Sequence, residues 1–216
     1  MFTGIIEETG TLIAKTPDDG AERLVIRAQK VLSDLEVGHS IAINGVCLTV
    51  IERTDDRFSV QVIPETMERS NLGALEQGAA VNLERAMAAT ARFHGHMVQG
   101  HVETVGIVNN LVMDGANVRL SVTLDERWLR YCLPKGSITL DGVSLTIADQ
   151  FTSGITVALI PFTLAETTLG DLQVGDQVNI ETDIMARYLD RFLEFDLPDE
   201  YDVDPVNLQK WGYGES

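Results

Sequence analysis

The stretch "NGVCLTV", Asn44 to Val50, returns 97 residues later as "DGVSLTI", Asp141 to Ile147. At the same offset Ile63-Pro64-Glu65-Thr66 falls on Ile160-Pro161-Phe162-Thr163, and Asn71-Leu72-Gly73 falls on Thr168-Leu169-Gly170. Gly78, Val81, Asn82 and Glu84 fall on Gly175, Val178, Asn179 and Glu181. With a one-residue slip, "MFTGIIEETG" (1–10) falls on "MVQGHVETVG" (97–106). Matches this ordered mean a duplication, and the period is too long for a solenoid unit. The chain therefore divides into residues 1–96 and 97–183, followed by a helical segment 184–195 and an acidic tail 196–216.

Both halves read as β. The runs 24–28, 40–52, 58–64 and 80–84 are apolar or alternating and rich in β-branched residues, and 118–124, 137–149, 155–161 and 177–181 repeat them. Asp18-Asp19-Gly20 and Asp55-Asp56-Arg57 break the first set as turns. Short strands at this spacing suit a small antiparallel barrel, because closure removes exposed edges. Short helical turns are expected at 31–35 and 128–133. Asp183 is a candidate N-cap for "IMARYLDRFLEF", where Ile184, Tyr188 and Phe192 lie at helical spacing and Pro198 follows. Its apolar stripe must pack on its own barrel or on another subunit.

Charge and composition exclude some classes. A net charge of −17 repels phosphates and argues against nucleic-acid binding. No apolar run reaches the about 18 residues of a membrane span, and the N-terminus does not resemble a signal peptide. Cys47 and Cys132 are expected as free thiols in a cytoplasmic chain.

A duplicated barrel implies two equivalent sites for similar molecules, so the positions that break the repeat carry the information. Cys47 aligns with Ser144, and Ile5 with His101. One half has a thiol and an aliphatic side chain where the other has a hydroxyl and an imidazole. Cys47 can equally be a small buried hydrophobe, and Ser144 can simply bond backbone. His94, His96 and His101 cluster, but no carboxylate or cysteine stands beside them at zinc-ligand spacing, so no metal is expected.

Taken together, "MFTGIIEETG", "NGVCLTV", "IPET" (63–66), "GHMVQGHVE" (95–103), "DGVSLTI" and "NIETD" (179–183) resemble the riboflavin synthase family of the trimeric α type, over residues 1 to about 195. The resemblance implies two six-stranded antiparallel Greek-key barrels, each binding one 6,7-dimethyl-8-ribityllumazine, and a C-terminal helix that builds a homotrimer. It implies active sites between subunits and a dismutation without cofactor or metal. One lumazine gives a four-carbon unit to the other, yielding riboflavin and 5-amino-6-ribitylaminouracil. Association with lumazine synthase is a possible further partnership of such an enzyme.

Carried onto this chain, the resemblance places Gly4, Ile5, Ile6, Cys47, Leu48, Thr49, Gln61, Val62, Ile63, Pro64, Glu65 and Thr66 in a first pocket. A second pocket takes Gly100, His101, Val102, Lys135, Ser144, Leu145, Thr146, Ala158, Leu159, Ile160, Pro161, Phe162 and Thr163. Ser40, Cys47, His101, Ser144 and Thr146 match catalytic positions. Phe162 departs from the repeat, since the first half has Glu65 there. The alternative within the same fold is a non-catalytic lumazine- or flavin-binding antenna protein.

Overall fold

A computed structural model describes residues 1–194. The first half closes into a barrel of β1 (Glu8–Asp18), β2 (Ala21–Arg27), β3 (Ser40–Ile43), β4 (Val46–Arg53), β5 (Arg57–Val62) and β6 (Ala80–Arg85). The second half builds β7 (Thr104–Asp114), β8 (Asn117–Thr123), β9 (Ser137–Leu140), β10 (Val143–Phe151), β11 (Gly154–Leu159) and β12 (Gln177–Thr182). The order around the first barrel is β1-β2-β5-β4-β3-β6; around the second, β7-β8-β11-β10-β9-β12 is the same Greek key. All pairings are antiparallel. Each barrel encloses its own core: Leu24, Ile26, Phe58 and Leu83 in the first, Leu120, Ile138, Ile155 and Ile180 in the second.

Three local features differ from the sequence reading. The runs 40–52 and 137–149 are each two strands, β3 with β4 and β9 with β10, folded over at Asn44-Gly45 and Asp141-Gly142. All four turn residues have positive φ, from 46 to 79°, the backbone of a two-residue hairpin that Asn, Asp and Gly accept. Strand β5 stops at Val62 and β11 at Leu159, because Pro64 and Pro161 open short helices α1 (Pro64–Arg69) and α3 (Pro161–Glu166). Proline suits that first helical position, where its missing N–H goes unused. Helix α2 (Glu126–Leu129) begins before the expected 128, capped by the Asp125 carboxylate, which accepts from Arg127 N–H at 3.0 Å. The expected turn at 31–35 is a 3-10 turn over Val31–Ser33.

The barrels meet back to back through a buried polar seam. A Cβ on Gly45 would lie 2.7 Å from Gly142 N, and one on Gly142 would lie 2.7 Å from Gly45 N, so only glycine lets the hairpins touch. Around this contact each half reaches into the other. Asn82 Nδ2 donates to the Asp141 carbonyl (3.0 Å), and Asn179 Nδ2 donates to the Asn44 carbonyl (2.8 Å). Asn179 Oδ1 accepts from Asn71 N–H (2.6 Å), and Asn82 Oδ1 accepts from Thr168 N–H (2.8 Å). Within each half, Asn44 Oδ1 and Asp141 Oδ1 accept from Asn82 N–H and Asn179 N–H, both at 2.8 Å. The exchange of Asn44 for Asp141 therefore belongs to this seam.

Helix α4 (Ile184–Glu194) follows the second barrel, and beyond Ile184 it forms a unit of its own. Tyr188, Leu189, Phe192 and Leu193 are exposed on it. Phe195 and the acidic tail lie outside the described residues. Among the described residues no helix is long and apolar enough to cross a membrane.

Burial raises the Asp141 carboxyl from its ordinary 3.8 to about 7, against the hydrogen bonds from Asn179 and Asn71 that lower it. The folded chain thus keeps a proton that the unfolded chain has released. This group's contribution to stability is complete below about pH 4 and is lost as the pH rises through about 7. Asp141→Asn installs the first barrel's residue and keeps the acceptor. The melting temperature of the variant relative to the parent is expected to climb from pH 4 to pH 7. Parallel melting curves over that window would refute this.

Candidate active site

The leading segment of each half lies across the opposite barrel. Phe2 and Val98 form an antiparallel bridge, with Phe2 N–H donating to Val98 O (2.8 Å) and Val98 N–H to Phe2 O (3.2 Å). From this crossing, Gly100 runs beside β4, where its carbonyl accepts from Cys47 N–H at 2.8 Å. Gly4 runs beside β10, where its carbonyl accepts from Ser144 N–H at 2.7 Å. Val102 packs on the first barrel's core and Ile6 on the second's.

Two buried carboxylates hold the segments. Glu84, at the end of β6, accepts from Thr3 N–H (2.7 Å), Thr3 Oγ1 (2.8 Å) and Gly4 N–H (3.0 Å). Glu181, at the end of β12, accepts from Gln99, Gly100 and His101 N–H at 2.7–2.9 Å. Burial raises the Glu84 carboxyl, while these donors pull it back toward the charged form. Each leading segment is thus clamped by its own barrel's last strand and laid over the other barrel.

This corrects the grouping expected from sequence. Gly100, His101 and Val102 line a cavity of about 190 Å³ with Cys47, Glu65, Thr66 and Arg69. Gly4 and Ile6 go with Ser144. The reason is the crossing at Phe2 and Val98, which trades the two segments.

The other expected residues separate by burial. Val62 and Leu159 are fully buried in the barrel cores, and Leu48 is nearly so, so their side chains face inward. Leu145 packs on the second core as a half-buried residue. Thr49, Gln61, Ile63, Pro64, Glu65, Thr146, Ala158, Ile160, Pro161 and Phe162 are exposed along corresponding edges; Thr66 and Thr163 are half-buried there. Ser40 pairs with Thr49 across β3 and β4 but lines a different, larger cavity of about 620 Å³, together with Ile5, His39, Arg85 and His94. Lys135 holds a left-handed backbone, φ 70°, where the repeat has Gly38 at φ 90°. A bulky residue in that conformation is strained.

The three clustered histidines disperse. His94 lines the larger cavity and His101 the smaller. His96, which the sequence reading left without a role, is buried with Nδ1 2.8 Å from Ser144 Oγ. Burial lowers its pKa, with Asp183 opposing, so the neutral ring is favoured and one ring nitrogen can accept the serine hydroxyl. Gly95 makes room for the pair: a Cβ there would lie 1.9 Å from Thr3 O and 3.1 Å from Ser144 Oγ.

The model of the lumazine binding domain family matches residues 3–86 and again 99–183. The riboflavin synthase of Bacillus subtilis is 44% identical over 193 residues, covering 89% of this chain and 90% of its own. That of Mycobacterium tuberculosis is 44% identical over 198 residues, covering 89% and 98%. That of Photobacterium leiognathi is 36% identical over 215 residues, covering 99% of both. The chain belongs to the riboflavin synthase family. Its barrels also match LumP solved with 6,7-dimethyl-8-(1'-D-ribityl) lumazine (TM-score 0.76) and with riboflavin (TM-score 0.78). Each match covers 84% of this chain and 99% of that one at 24% identity, a likeness of fold.

Gly100 has φ 79°, and a Cβ there would lie 2.6 Å from Cys47 Cβ. Gly38 has φ 90° but open space around it. Gly38→Ala is expected to cost about 1–2 kcal/mol from the left-handed backbone alone. Gly100→Ala should cost more and should loosen the segment carrying His101. Chemical denaturation of both variants measures the difference. Equal losses would mean that Gly100 answers only to its backbone angle.

Proposed function

We propose that this chain dismutates two molecules of 6,7-dimethyl-8-ribityllumazine into riboflavin and 5-amino-6-ribitylaminouracil, one substrate held by each barrel. The observation that carries this reading is a pocket frame built twice with different reactive groups. Cys47 with His101 stands in one copy, and Ser144 with His96 in the other. Identical substrates that must play different parts need such a pair.

The chemistry suits the residues. The C7 methyl of the lumazine is acidic because its carbanion delocalises into the ring. His101 is exposed in the first pocket, where its imidazole can take such a proton as general base. The Ser144 hydroxyl, beside neutral His96, can add to the electrophilic C7 of the partner molecule: its proton passes to His96, the displaced electron pair moves into the ring, and the serine leaves again with that proton as the four-carbon unit is transferred. Holding the two rings in contact supplies a further large share of the rate as effective molarity.

Trimer formation belongs to the same proposal. Ile63, Ile160 and Phe162 stay exposed at the pocket edges, so a ring bound there needs a second surface to cover it. A neighbouring subunit's opposite barrel would provide one. The apolar stripe of α4 supports assembly through that helix. Association with lumazine synthase would deliver substrate directly. A cytoplasmic location suits two free thiols, Cys47 and Cys132.

The test is incubation with the lumazine while riboflavin fluorescence is followed. Two lumazines should disappear per riboflavin formed, without added metal or nucleotide. Ser144→Ala and His101→Ala are each expected to slow turnover by about a hundredfold or more, the usual scale for an acid–base group. Cys47→Ser should be milder, since the other pocket already uses serine. Removing residues 184–216 should give monomers by light scattering, with turnover lost. Lumazine binding without any riboflavin would overturn the catalytic reading in favour of an antenna protein.

A further inference from the structure

The corresponding edges of the two barrels are built on one backbone and finished with opposite chemistry. Helices α1 and α3 both begin at proline, after Ile63 (φ −73°, ψ 155°) and Ile160 (φ −83°, ψ 158°). Their side chains therefore occupy equivalent places. On α1, Arg69 Nε donates to Glu65 Oε1 at 3.1 Å, and both residues line the cavity that holds Cys47 and His101. On α3 the same two positions are Phe162 and Glu166. No ion pair can form there, and Phe162 stands 72% exposed.

We propose that Phe162 makes the second-barrel pocket the tighter of the two for a neutral, planar pteridine or isoalloxazine ring. This rests on the reading above that each barrel binds one such ring. A ring laid on Phe162 removes the exposed phenyl face from water and gains an offset stack. A ring laid over Glu65 and Arg69 strips water from an ion pair, a cost that stacking on the guanidinium only partly offsets. The repeat thus supplies two pockets of one shape and unequal affinity. At low substrate concentration the second barrel fills first, and the first barrel sets the concentration at which both are occupied.

Riboflavin, which does not turn over, is the probe. Titrating the intact protein and following flavin fluorescence should show two classes of site per chain. Phe162→Ala should weaken the tighter class by about tenfold, the scale of one aromatic pair, and leave the weaker class where it was. Phe162→Glu should merge the two classes. Phe162 is a surface residue, and an unchanged melting temperature will confirm that either variant is folded. A tighter class that ignores both substitutions, or a weaker class that moves instead, overturns the assignment. If the parent protein binds neither riboflavin nor lumazine, the proposed function itself falls.

Discussion

The contact between Gly45 and Gly142 is the constraint on which the rest depends. Two hairpin tips meet with no room for a Cβ on either side, and the surrounding polar groups are too buried to bond water. Asn82 and Asn179 resolve this by reaching across the seam, each satisfying a carbonyl of the other half. A buried polar group without a partner costs on the order of 1–3 kcal/mol, so displacing either barrel would unmake several bonds together. The seam fixes how one barrel sits on the other, and with it the paths of the segments that finish each pocket.

Symmetry is strict among the buried groups that join the halves and relaxed at more open positions. Glu84 and Glu181 do the same job with nearly the same distances. Asn82 and Asn179 do likewise. The exchanges of Cys47 for Ser144, His101 for Ile5 and Glu65 for Phe162 fall beside the pockets, where they leave the backbone alone. Asp141 is the exception, an ionisable group set inside the seam.

Much of this was legible in the chain. The 97-residue repeat gave two barrels of one topology. Local turn chemistry was partly hidden: Asn44-Gly45 and Asp141-Gly142 sit inside continuous β-branched runs, so two strands looked like one, although such dipeptides favour a tight hairpin. Pro64 and Pro161 looked like strand ends rather than helix starts. The exchange of segments left no mark that periodicity could reveal, because its bonds join residues far apart in the chain, such as Ser144 with Gly4 and Cys47 with Gly100. The pairing of His96 with Ser144 was equally silent, since a histidine in a glycine-rich connector has many possible fates. The side chains that clamp the segments were in plain view: Glu84 and Glu181 match across the repeat at the ends of otherwise apolar strands, a signal worth reading as a buried carboxylate with backbone donors.

The traded segments also govern stoichiometry. Each pocket combines one barrel's wall with a strip of chain anchored in the other. A folded polypeptide therefore carries one copy of each kind, whatever its state of assembly. Partial unfolding of either barrel removes a piece of both, so a damaged chain loses its two pockets together.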